Sequence, residues 1–586
     1  MTSIDNVPNN HRITLLITTS IMVLLLTVQA LLLGNLSWST SPNRTEIGHL
    51  GATVYFWHTG KFDVFHVNPP LVRMVAGMPI AFFCNPKYDW NAYSPRPQDR
   101  CEWQLGNAFV TANTLDDLRI YVFLARIFCI PLVLLGGYVG FRFATELYGE
   151  WSGVLFLMLW TFSPLILGWG ATICPDVAAT SMGTVGLYTF WHWLKNPKWK
   201  KAIIAGICLG LMPLTKMTWI IAPPIWLLLW ILWRFFVQKT ETKPPFLQFV
   251  VILLLALYTI NTGYFFDGSL KLLNQYHFIS GTLTNTEVTR TTPVKPDNRF
   301  KDSWFGSIPI PLPAEFVQGI DTQKRDFERG LDSYARGVWS DHGWRWYYCY
   351  VLMLREPLGV WCLAGIALFI TIFYRQLNSA WYNEIIILLP MLVILGFISS
   401  QNGFSIHPRY IIPVLPFLYI FISKTAQSLS QRKPLFVFLT TGCLIWVVVH
   451  SLLFYPHSMS YFNELAGKPQ NRSKYLLGSN IDWGQDFYEL KNWCEKHPEK
   501  KPRYITVESA ISPDKLGIEH DGNVPETPEN GWILISVNLL NDQTEKYKWL
   551  KKYEPIGMIG YSIYIYHVTP ENVNRVQRKM RLPEIE

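Results

Sequence analysis

Several side chains that could move a proton lie within residues 41–74, in the sequence SPNRTEIGHLGATVYFWHTGKFDVFHVNPPLVRM. They include Glu46, His49, Asp63 and His66. Because Glu46 and His49 are three positions apart, they lie on one face of a helix. A carboxylate in this place could act as a general base or as a metal ligand. This segment is therefore a candidate for catalysis.

Two of these side chains also have a purely structural interpretation. Asn43 and Glu46 have the spacing of a capping box, in which two side chains bind each other's backbone N–H groups. His49 would also fit as a histidine whose hydrogen bonds are satisfied at a membrane interface. The residues alone leave both interpretations open.

A second carboxylate, Asp176, follows a proline in the sequence SPLILGWGATICPDVAATSMG. An acidic residue at the start of a helix is stabilised by the helix dipole, and this would explain Asp176 without catalysis. We nevertheless expect Asp176 in a short loop on the same side of the membrane as Glu46. It is therefore a second catalytic candidate.

Basic side chains lie where two predicted spans reach the outer face, against the usual charge distribution of membrane proteins. Lys216 occurs in LMPLTKMTW, and Arg409 occurs in GFSIHPRYIIPVLPF, two residues after His407. A guanidinium binds phosphate through two parallel hydrogen bonds, which suits Arg409. Lys216 could instead extend its ammonium group to the interface without any function.

The composition places these residues in a membrane protein. The chain has 586 residues, of which 50% are hydrophobic and 16% are charged. A soluble protein has about 25% charged residues. Apolar runs of 18 or more residues recur, and each could cross about 30 Å of hydrocarbon. The fold class we expect is mainly α, a polytopic membrane protein of about eleven transmembrane helices.

The predicted spans place the candidates on one face of the membrane. The spans are residues 13–34, 118–145, 151–170, 177–194, 202–219, 221–237, 247–266, 346–374, 382–400, 409–427 and 434–455. With the N-terminus in the cytoplasm, the basic loops near 195–201, 234–243 and 424–433 are also cytoplasmic, as the positive-inside rule requires. The net charge of +9 thus reflects topology, and no nucleic-acid partner is expected.

Two domains follow from this layout. Residues 1–455 form a transmembrane domain with outer loops at 35–117, expected to hold interfacial helices, and at 267–345. Residues 456–586 form a small extracytoplasmic α/β domain. Its strands are expected in RYITVES, GWILISVNLL and SIYIYHV, and its helices in DFYELKNWCEKH and TEKYKWLKKY.

Acids and cations that gather at the outer leaflet suit one kind of chemistry. A membrane-embedded phosphate ester needs cations to stabilise its leaving group, and an acceptor hydroxyl needs a carboxylate to take its proton. Transfer of a lipid-linked sugar has both needs. Ion transport would instead require acids in the middle of the spans.

The chain resembles the bacterial phospholipid-carrier-dependent glycosyltransferases of the GT-C superfamily, which are related to the protein O-mannosyltransferases and to the lipid A aminoarabinose transferase. The motifs that carry the resemblance occur in family order along nearly the whole chain. They are TEIGHLGATVYFWHTGKFDVFHVNPPLVRM, LARIFCIPLVLLGGYVGFRFATELYG, PDVAATSMG, LTKMTW, IPIPLPAEFVQGID, HPRYIIPVLPF and SYFNELAGKPQNRSKYLLGSNIDWGQDFYELKNW.

The resemblance implies an inverting transfer of a sugar from a polyprenyl-phosphate donor to a protein hydroxyl, lipid A or another glycan. It implies that Glu46 activates the acceptor and Asp176 assists. Lys216, Arg409, Arg73 and His407 would contact the lipid phosphate. Related activities remain open, namely transfer of a whole oligosaccharide to a glycolipid, or transport of a lipid-linked sugar. The expected location is a bacterial inner membrane.

One departure from the family affects the choice of base. Relatives commonly carry an Asp-Glu pair at the exit of the first span, with the Asp held to be the base, whereas this chain has Thr45 and Glu46. Either Glu46 takes that role or another carboxylate does, with Asp63 the nearest. No cofactor is assigned, and a divalent metal remains open because the need for one varies among relatives.

Overall fold

The computed structural model describes residues 9–89, 100–237, 243–291, 293–401, 403, 405–427 and 434–580. The architecture is mainly helical. The helices are, in chain order, α1 (Asn9–Ser39), α2 (Arg44–Thr59), α3 (Leu71–Phe83), α4 (Cys101–Ala112), α5 (Leu115–Tyr148), α6 (Glu150–Phe162), α7 (Pro164–Gly170), α8 (Asp176–Lys195), α9 (Trp199–Thr215), α10 (Ala222–Phe236), α11 (Phe246–Gly263), α12 (Gly281–Thr284), α13 (Ala314–Arg329), α14 (Tyr347–Arg355), α15 (Leu358–Phe373), α16 (Trp381–Ser400), α17 (Leu415–Ser423), α18 (Pro434–Phe454), α19 (Phe487–Lys496), α20 (Val537–Leu540) and α21 (Pro570–Met580).

Six helical segments of the described chain are long and apolar enough to cross a membrane. They are α1, α5, α10 together with the 3-10 turn before it, α11, α16 and α18. Two bent pairs raise the number to eight if each pair is one span. These pairs are α6 with α7, bent by 57°, and α14 with α15, bent by 110°. The protein is thus a polytopic membrane protein.

Three of the eleven predicted spans form helices that, within the described residues, are not long and apolar enough to cross a membrane. The segment 177–194 is α8, whose buried face carries Thr180, Ser181 and Thr184 and is therefore less apolar. The segment 202–219 is split, because α9 ends at Thr215 after 17 residues. The segment 409–427 begins as a 3-10 helix and continues as the nine-residue α17. The basic loops predicted to be cytoplasmic lie partly outside the described residues, at 238–242 and 428–433.

Helix α8 is central to the arrangement of the site. It packs against α5 on one side and α9 on the other. Gly136 of α5 and Gly183 of α8 permit this close approach, since a Cβ atom at either would overlap with Ser181 or Trp219. The N-terminal residue of α8 is Asp176, so the packing fixes the position of that carboxylate.

The segment 35–117, predicted as the first outer loop, contains α2, α3 and α4, and the segment 267–345, predicted as the second, contains α12, α13 and a small hairpin. Of the two helices predicted at the membrane interface, α3 exposes Met78, Phe82 and Phe83. Helix α2 is instead buried on all sides from Thr45 to Phe56. The hairpin pairs β1 (Ser333–Ala335) with β2 (Val338–Ser340) in antiparallel fashion.

The C-terminal segment contains the expected sheet. Its strands are β3 (Pro502–Thr506), β4 (Gly531–Ser536), β5 (Gly557–Ile559) and β6 (Ile563–Val568), in the order β3-β4-β6-β5. Strands β3 and β4 are parallel, and the other pairs are antiparallel. The three predicted strands and the first predicted helix, now α19, are present. The helix predicted at TEKYKWLKKY is wrong, because that segment forms turns with one 3-10 turn at Leu550–Lys552.

Candidate functional site

A polar cavity of about 330 Å³ brings five of the predicted residues together. They are His49, Asp176, Lys216, His407 and Arg409. They come from four separate elements of the chain. His49 lies on α2, Asp176 begins α8, Lys216 follows α9, and the two remaining residues flank the start of the 3-10 helix Pro408–Val414.

Asp176 and Lys216 form a buried ion pair in the wall of this cavity. Lys216 Nζ lies 2.5 Å from Asp176 Oδ1. Lys216 caps the C-terminus of α9 in an extended conformation, and the indole of Trp219 donates a hydrogen bond to the Ala179 carbonyl of α8. This bond holds the turn after Lys216 against α8. The ammonium also lies 4.5 Å from the centre of the Tyr410 ring.

Arg409 is the second cation of the cavity. Its Nη1 donates a hydrogen bond to Thr45 Oγ1 at 3.3 Å, and its guanidinium lies 5.7 Å from the ring centres of Trp169 and Tyr410. No carboxylate in the described part of the chain forms an ion pair with it. Arg409 therefore keeps the capacity to bind an anion in the cavity.

The two histidines of the cavity are neutral. Burial, and then the charges of Arg73 and Arg409, lower the pKa of His49 well below its usual value. Both ring nitrogens of His49 are buried and have no hydrogen-bond partner among the described residues. The pKa of His407 is also lowered by burial, and further by Arg409 and Lys216. His407 Nδ1 lies 2.9 Å from Ser479 Oγ, whereas His49 is available to a ligand.

Glu46 does not line the cavity, although it lies next to Thr45, which does. Its carboxylate is fully buried and binds Arg126 of α5 in a bidentate manner, with Nε–Oε1 at 2.8 Å and Nη2–Oε2 at 2.6 Å. The backbone N–H groups of Ile173 and Asn43 also donate to it, each at 2.9 Å. The capping box of Asn43 and Glu46 is present. Glu46 thus joins α2, α5 and the loop before Asp176.

Asp63 and Arg73 are not brought to the cavity either. Arg73 Nη1 donates hydrogen bonds to the carbonyls of Phe65 at 2.7 Å and Asn68 at 2.8 Å, which fixes the loop below His49. Burial lowers the pKa of Arg73 to about 10. Asp63 is partly exposed. Burial, and then the negative charge of Asp63, raise the pKa of Tyr55 to about 12.

The cavity contains residues outside the predicted site. Trp483 comes from the C-terminal segment, where its indole Nε1 donates to Thr45 Oγ1 at 3.0 Å and its ring lies 4.9 Å from that of His407. Asp326 of α13 pairs with Arg100, with Oδ2 and Nη1 2.5 Å apart. Burial raises the pKa of Asp326 above its usual value despite this partner. In the sequence, Trp483 is an aromatic residue between polar ones, a pattern that suits contact with a sugar. No sequence pattern indicated a role for Asp326.

An apolar cavity of about 380 Å³ adjoins the polar one. Its lining includes Ile220, Ile221, Ile320, Phe327, Phe397 and Ile398. The two cavities share part of their walls, including Lys216 and Tyr410. A cation therefore lies at the boundary between an apolar and a polar chamber. No group of three or more metal-ligating side chains occurs among the described residues.

The solved structures include two distant likenesses. The chain is similar to ArnT from Cupriavidus metallidurans bound to undecaprenyl phosphate, with 12% identity over 93% of this chain and 98% of that chain, and a TM-score of 0.43. It is similar to the oligosaccharyltransferase of Archaeoglobus fulgidus in the apo form, with 11% identity over 91% of this chain and 72% of that chain, and a TM-score of 0.41. No curated protein matches the sequence significantly.

A family model matches the part of the chain that contains the Asp176–Lys216 pair. Residues 121–260 match the family of dolichyl-phosphate-mannose-protein mannosyltransferases. This range contains Arg126, Asp176 and Lys216, and it covers most of α5 together with α6 to α10 and most of α11. The match covers this part of the chain only, and it shows similarity to that family over residues 121–260.

Proposed function

We propose that the protein transfers a sugar from a polyprenyl-phosphate donor to a hydroxyl group of an acceptor at the outer face of a bacterial inner membrane, with the N-terminus in the cytoplasm and the C-terminal domain outside. The observation that carries this proposal is the pair of adjoining cavities with Lys216 and Tyr410 in their common wall. A lipid-linked sugar has the same order of parts, an apolar chain, a phosphate and a polar sugar.

The donor phosphate binds between the two cations of the cavity. The apolar chamber takes the start of the lipid chain, and the polar chamber takes the sugar. Lys216 and Arg409 bind the phosphate oxygens, and they stabilise the negative charge that develops as the phosphate leaves. Arg409 has no carboxylate partner in the described chain, and this supports the role. A guanidinium already paired with a carboxylate would have fewer free N–H donors for the phosphate.

Asp176 takes the proton of the acceptor in this proposal. Its carboxylate lines the cavity and binds Lys216 through Oδ1, so Oδ2 is the atom that accepts the proton. The neutral His49, with both nitrogens unpartnered in the described chain, orients the acceptor by accepting a hydrogen bond from a second hydroxyl group of the acceptor. A single displacement at the anomeric carbon inverts its configuration.

Glu46 is a positioning residue in this mechanism. Its four hydrogen bonds come from α5, from its own helix cap and from Ile173, three residues before Asp176. Each oxygen of this carboxylate already accepts two hydrogen bonds from the protein, so Glu46 is poorly placed to receive a proton from a substrate. Thr45, at the position where relatives commonly carry Asp, offers only a hydroxyl to the cavity.

The acceptor binds against the part of the polar cavity that the apolar chamber does not share. Trp483 and the Arg100–Asp326 pair line the polar cavity but not the apolar one. An aromatic ring between polar groups suits the apolar face of a sugar and leaves hydrogen-bonding groups for its hydroxyls. A glycan acceptor, including the glycan part of lipid A, fits this wall better than a bare protein hydroxyl.

The test is transfer by purified protein in lipid nanodiscs. A panel of radiolabelled polyprenyl-phosphate sugars serves as donors and a membrane extract as the acceptor, with and without EDTA. Wild type, Asp176→Asn and Glu46→Gln run in parallel, each normalised to folded protein. We expect label transfer by wild type and Glu46→Gln only. Transfer by Asp176→Asn but not by Glu46→Gln would reverse the two roles, and loss with EDTA would require a metal.

A further inference from the structure

The segment that follows α11 carries an unusual number of exposed apolar side chains outside the spans. We call residues 264–310 the outer lobe. Its large exposed hydrophobic residues, with their exposed fractions, are Phe265 (65%), Phe266 (47%), Leu270 (63%), Trp304 (73%), Phe305 (45%) and Ile308 (39%). The two ends of the lobe lie together, since the N–H of Leu270 donates to the Ile310 carbonyl at 2.9 Å.

This apolar surface continues the lipid-facing surface of a span. Phe266 packs against Tyr258 of α11, with ring centres 5.5 Å apart, and Tyr258 is itself 60% exposed. Helix α11 has 18 residues, which gives a length of about 27 Å. The hydrocarbon core is about 30 Å thick. The residues directly after α11 therefore begin at the edge of the hydrocarbon core.

The backbone of the lobe presents these side chains at a conformational cost. Phe265, Phe266 and Leu270 have φ angles of 50°, 58° and 65°, a region that bulky residues rarely occupy. Hydrogen bonds hold the strained turn, including one from the Phe266 N–H to the Asn261 carbonyl at 2.8 Å. In water, both the strain and the exposure of three large apolar side chains would be unfavourable. Contact with lipid removes the second cost.

We propose that the outer lobe is inserted into the outer leaflet of the bilayer, at the boundary between headgroups and acyl chains. Trp304 and Phe305 are stacked, with ring centres 3.8 Å apart, and form its aromatic anchor. Aromatic side chains concentrate at this boundary in membrane proteins. The occupant of the exposed surface is thus phospholipid, and this inference does not depend on the chemistry of the cavity.

The insertion has a consequence for the site. The lobe leads directly into α13, and the N–H of Ala314, its first residue, donates to the Asp267 carbonyl at 3.0 Å. Helix α13 contributes Ile320 and Phe327 to the apolar cavity. An inserted lobe therefore holds one wall of that cavity at a fixed depth relative to the lipid.

Photocrosslinking tests the insertion directly. The photoreactive residue benzoylphenylalanine replaces Trp304 or Phe266 in the full chain, reconstituted in liposomes that contain a tritiated phospholipid. Tyr258 on α11 is the positive control, and the exposed Lys496 at the end of α19 is the negative control. We expect lipid adducts at 258, 266 and 304, and at least a tenfold weaker signal at 496.

Two outcomes would overturn the proposal. One is a lipid adduct at 258 without one at 304, and the other is a crosslinked dimer at 304, which would mean that a second copy covers the lobe. Gel filtration of each variant checks that the protein is folded. If the variant at 304 is unfolded, Ile308 provides an exposed position in the same lobe for the same comparison.

Discussion

The Glu46–Arg126 pair and the Asp176–Lys216 pair are both buried, and both join separate segments of the chain. They differ in whether their charged groups can still bind a ligand. Glu46 accepts two hydrogen bonds from Arg126 and two from backbone N–H groups. Asp176 and Lys216 instead line the polar cavity, and Lys216 also borders the apolar one.

The comparison shows that burial and charge alone do not identify a catalytic carboxylate. A buried ion pair whose hydrogen-bonding capacity is filled by the protein organises the fold, whereas one that faces a cavity can act on a substrate. The first pair should therefore affect the free energy of unfolding when changed, and the second should affect the reaction. The predictions below test this division.

The largest effect is expected for Asp176→Asn. If Asp176 is the general base, its loss lowers kcat by about 10²–10⁴-fold. The measurement is the rate of transfer per folded molecule in nanodiscs. Glu384→Gln is a matched control, because Glu384 pairs with the buried Lys424 at 3.0 Å and neither residue lines the cavity. A fall in kcat of less than tenfold for Asp176→Asn would contradict the assignment.

Arg126→Met should affect stability most. It leaves the Glu46 carboxylate buried without its charged partner, which costs about 3–5 kcal/mol of the free energy of unfolding. Unfolding of the purified protein in mixed micelles, followed by circular dichroism, measures this cost. The double variant Arg126→Met with Glu46→Met removes both charges and should recover a large part of it. A double variant no more stable than Arg126→Met would show that the cost lies elsewhere.

Lys216→Met should weaken donor binding. A hydrogen bond to a charged group contributes about 1.5–3 kcal/mol, which corresponds to roughly a 10- to 150-fold rise in the KM for the donor. The KM for the acceptor should change much less. Lys324→Met is the matched control, because Lys324 lines only the apolar cavity. Equal changes in donor KM for the two variants would argue against a specific phosphate contact.

The fold and part of the site could be predicted from the sequence. Long apolar runs are sufficient to find spans such as α1 and α11, and Asp176, Lys216 and Arg409, which were predicted at span ends, line one cavity. Spans that the protein itself surrounds, such as α8, are harder to find, because they contain buried polar residues such as Thr180 and Thr184, whose hydroxyls donate to carbonyls of their own helix.

The pairing of Glu46 with Arg126 could not be predicted from the sequence. Arg126 is 80 residues away and lies within an apolar run, which marks it as unusual but not as the partner of a particular acid. The capping-box spacing of Asn43 and Glu46 was a local signal, and it was correct. Contacts such as Asp326 with Arg100 depend on how two outer loops meet, and no local pattern encodes that.

The smallest predicted effect is a pH dependence of stability that involves His49. Its folded-state pKa lies well below the unfolded value of about 6.5. Below that pH the unfolded chain binds a proton that the folded protein does not, so stability decreases as pH falls from about 6.5 toward the folded pKa. The slope contributed by one such group is at most about 1.4 kcal/mol per pH unit.

His49→Gln should remove this contribution and flatten the profile between pH 6.5 and 5, as measured by thermal unfolding in nanodiscs. His407→Gln gives the comparison, because the pKa of His407 is lowered by the same kind of burial while its Nδ1 lies within hydrogen-bond distance of Ser479. If the slope is unchanged in His49→Gln, the imidazole is not held neutral in the folded protein. His49 could then not accept a hydrogen bond from a second hydroxyl group of the acceptor. Its role in the mechanism would be wrong, whereas that of Asp176 would be unaffected.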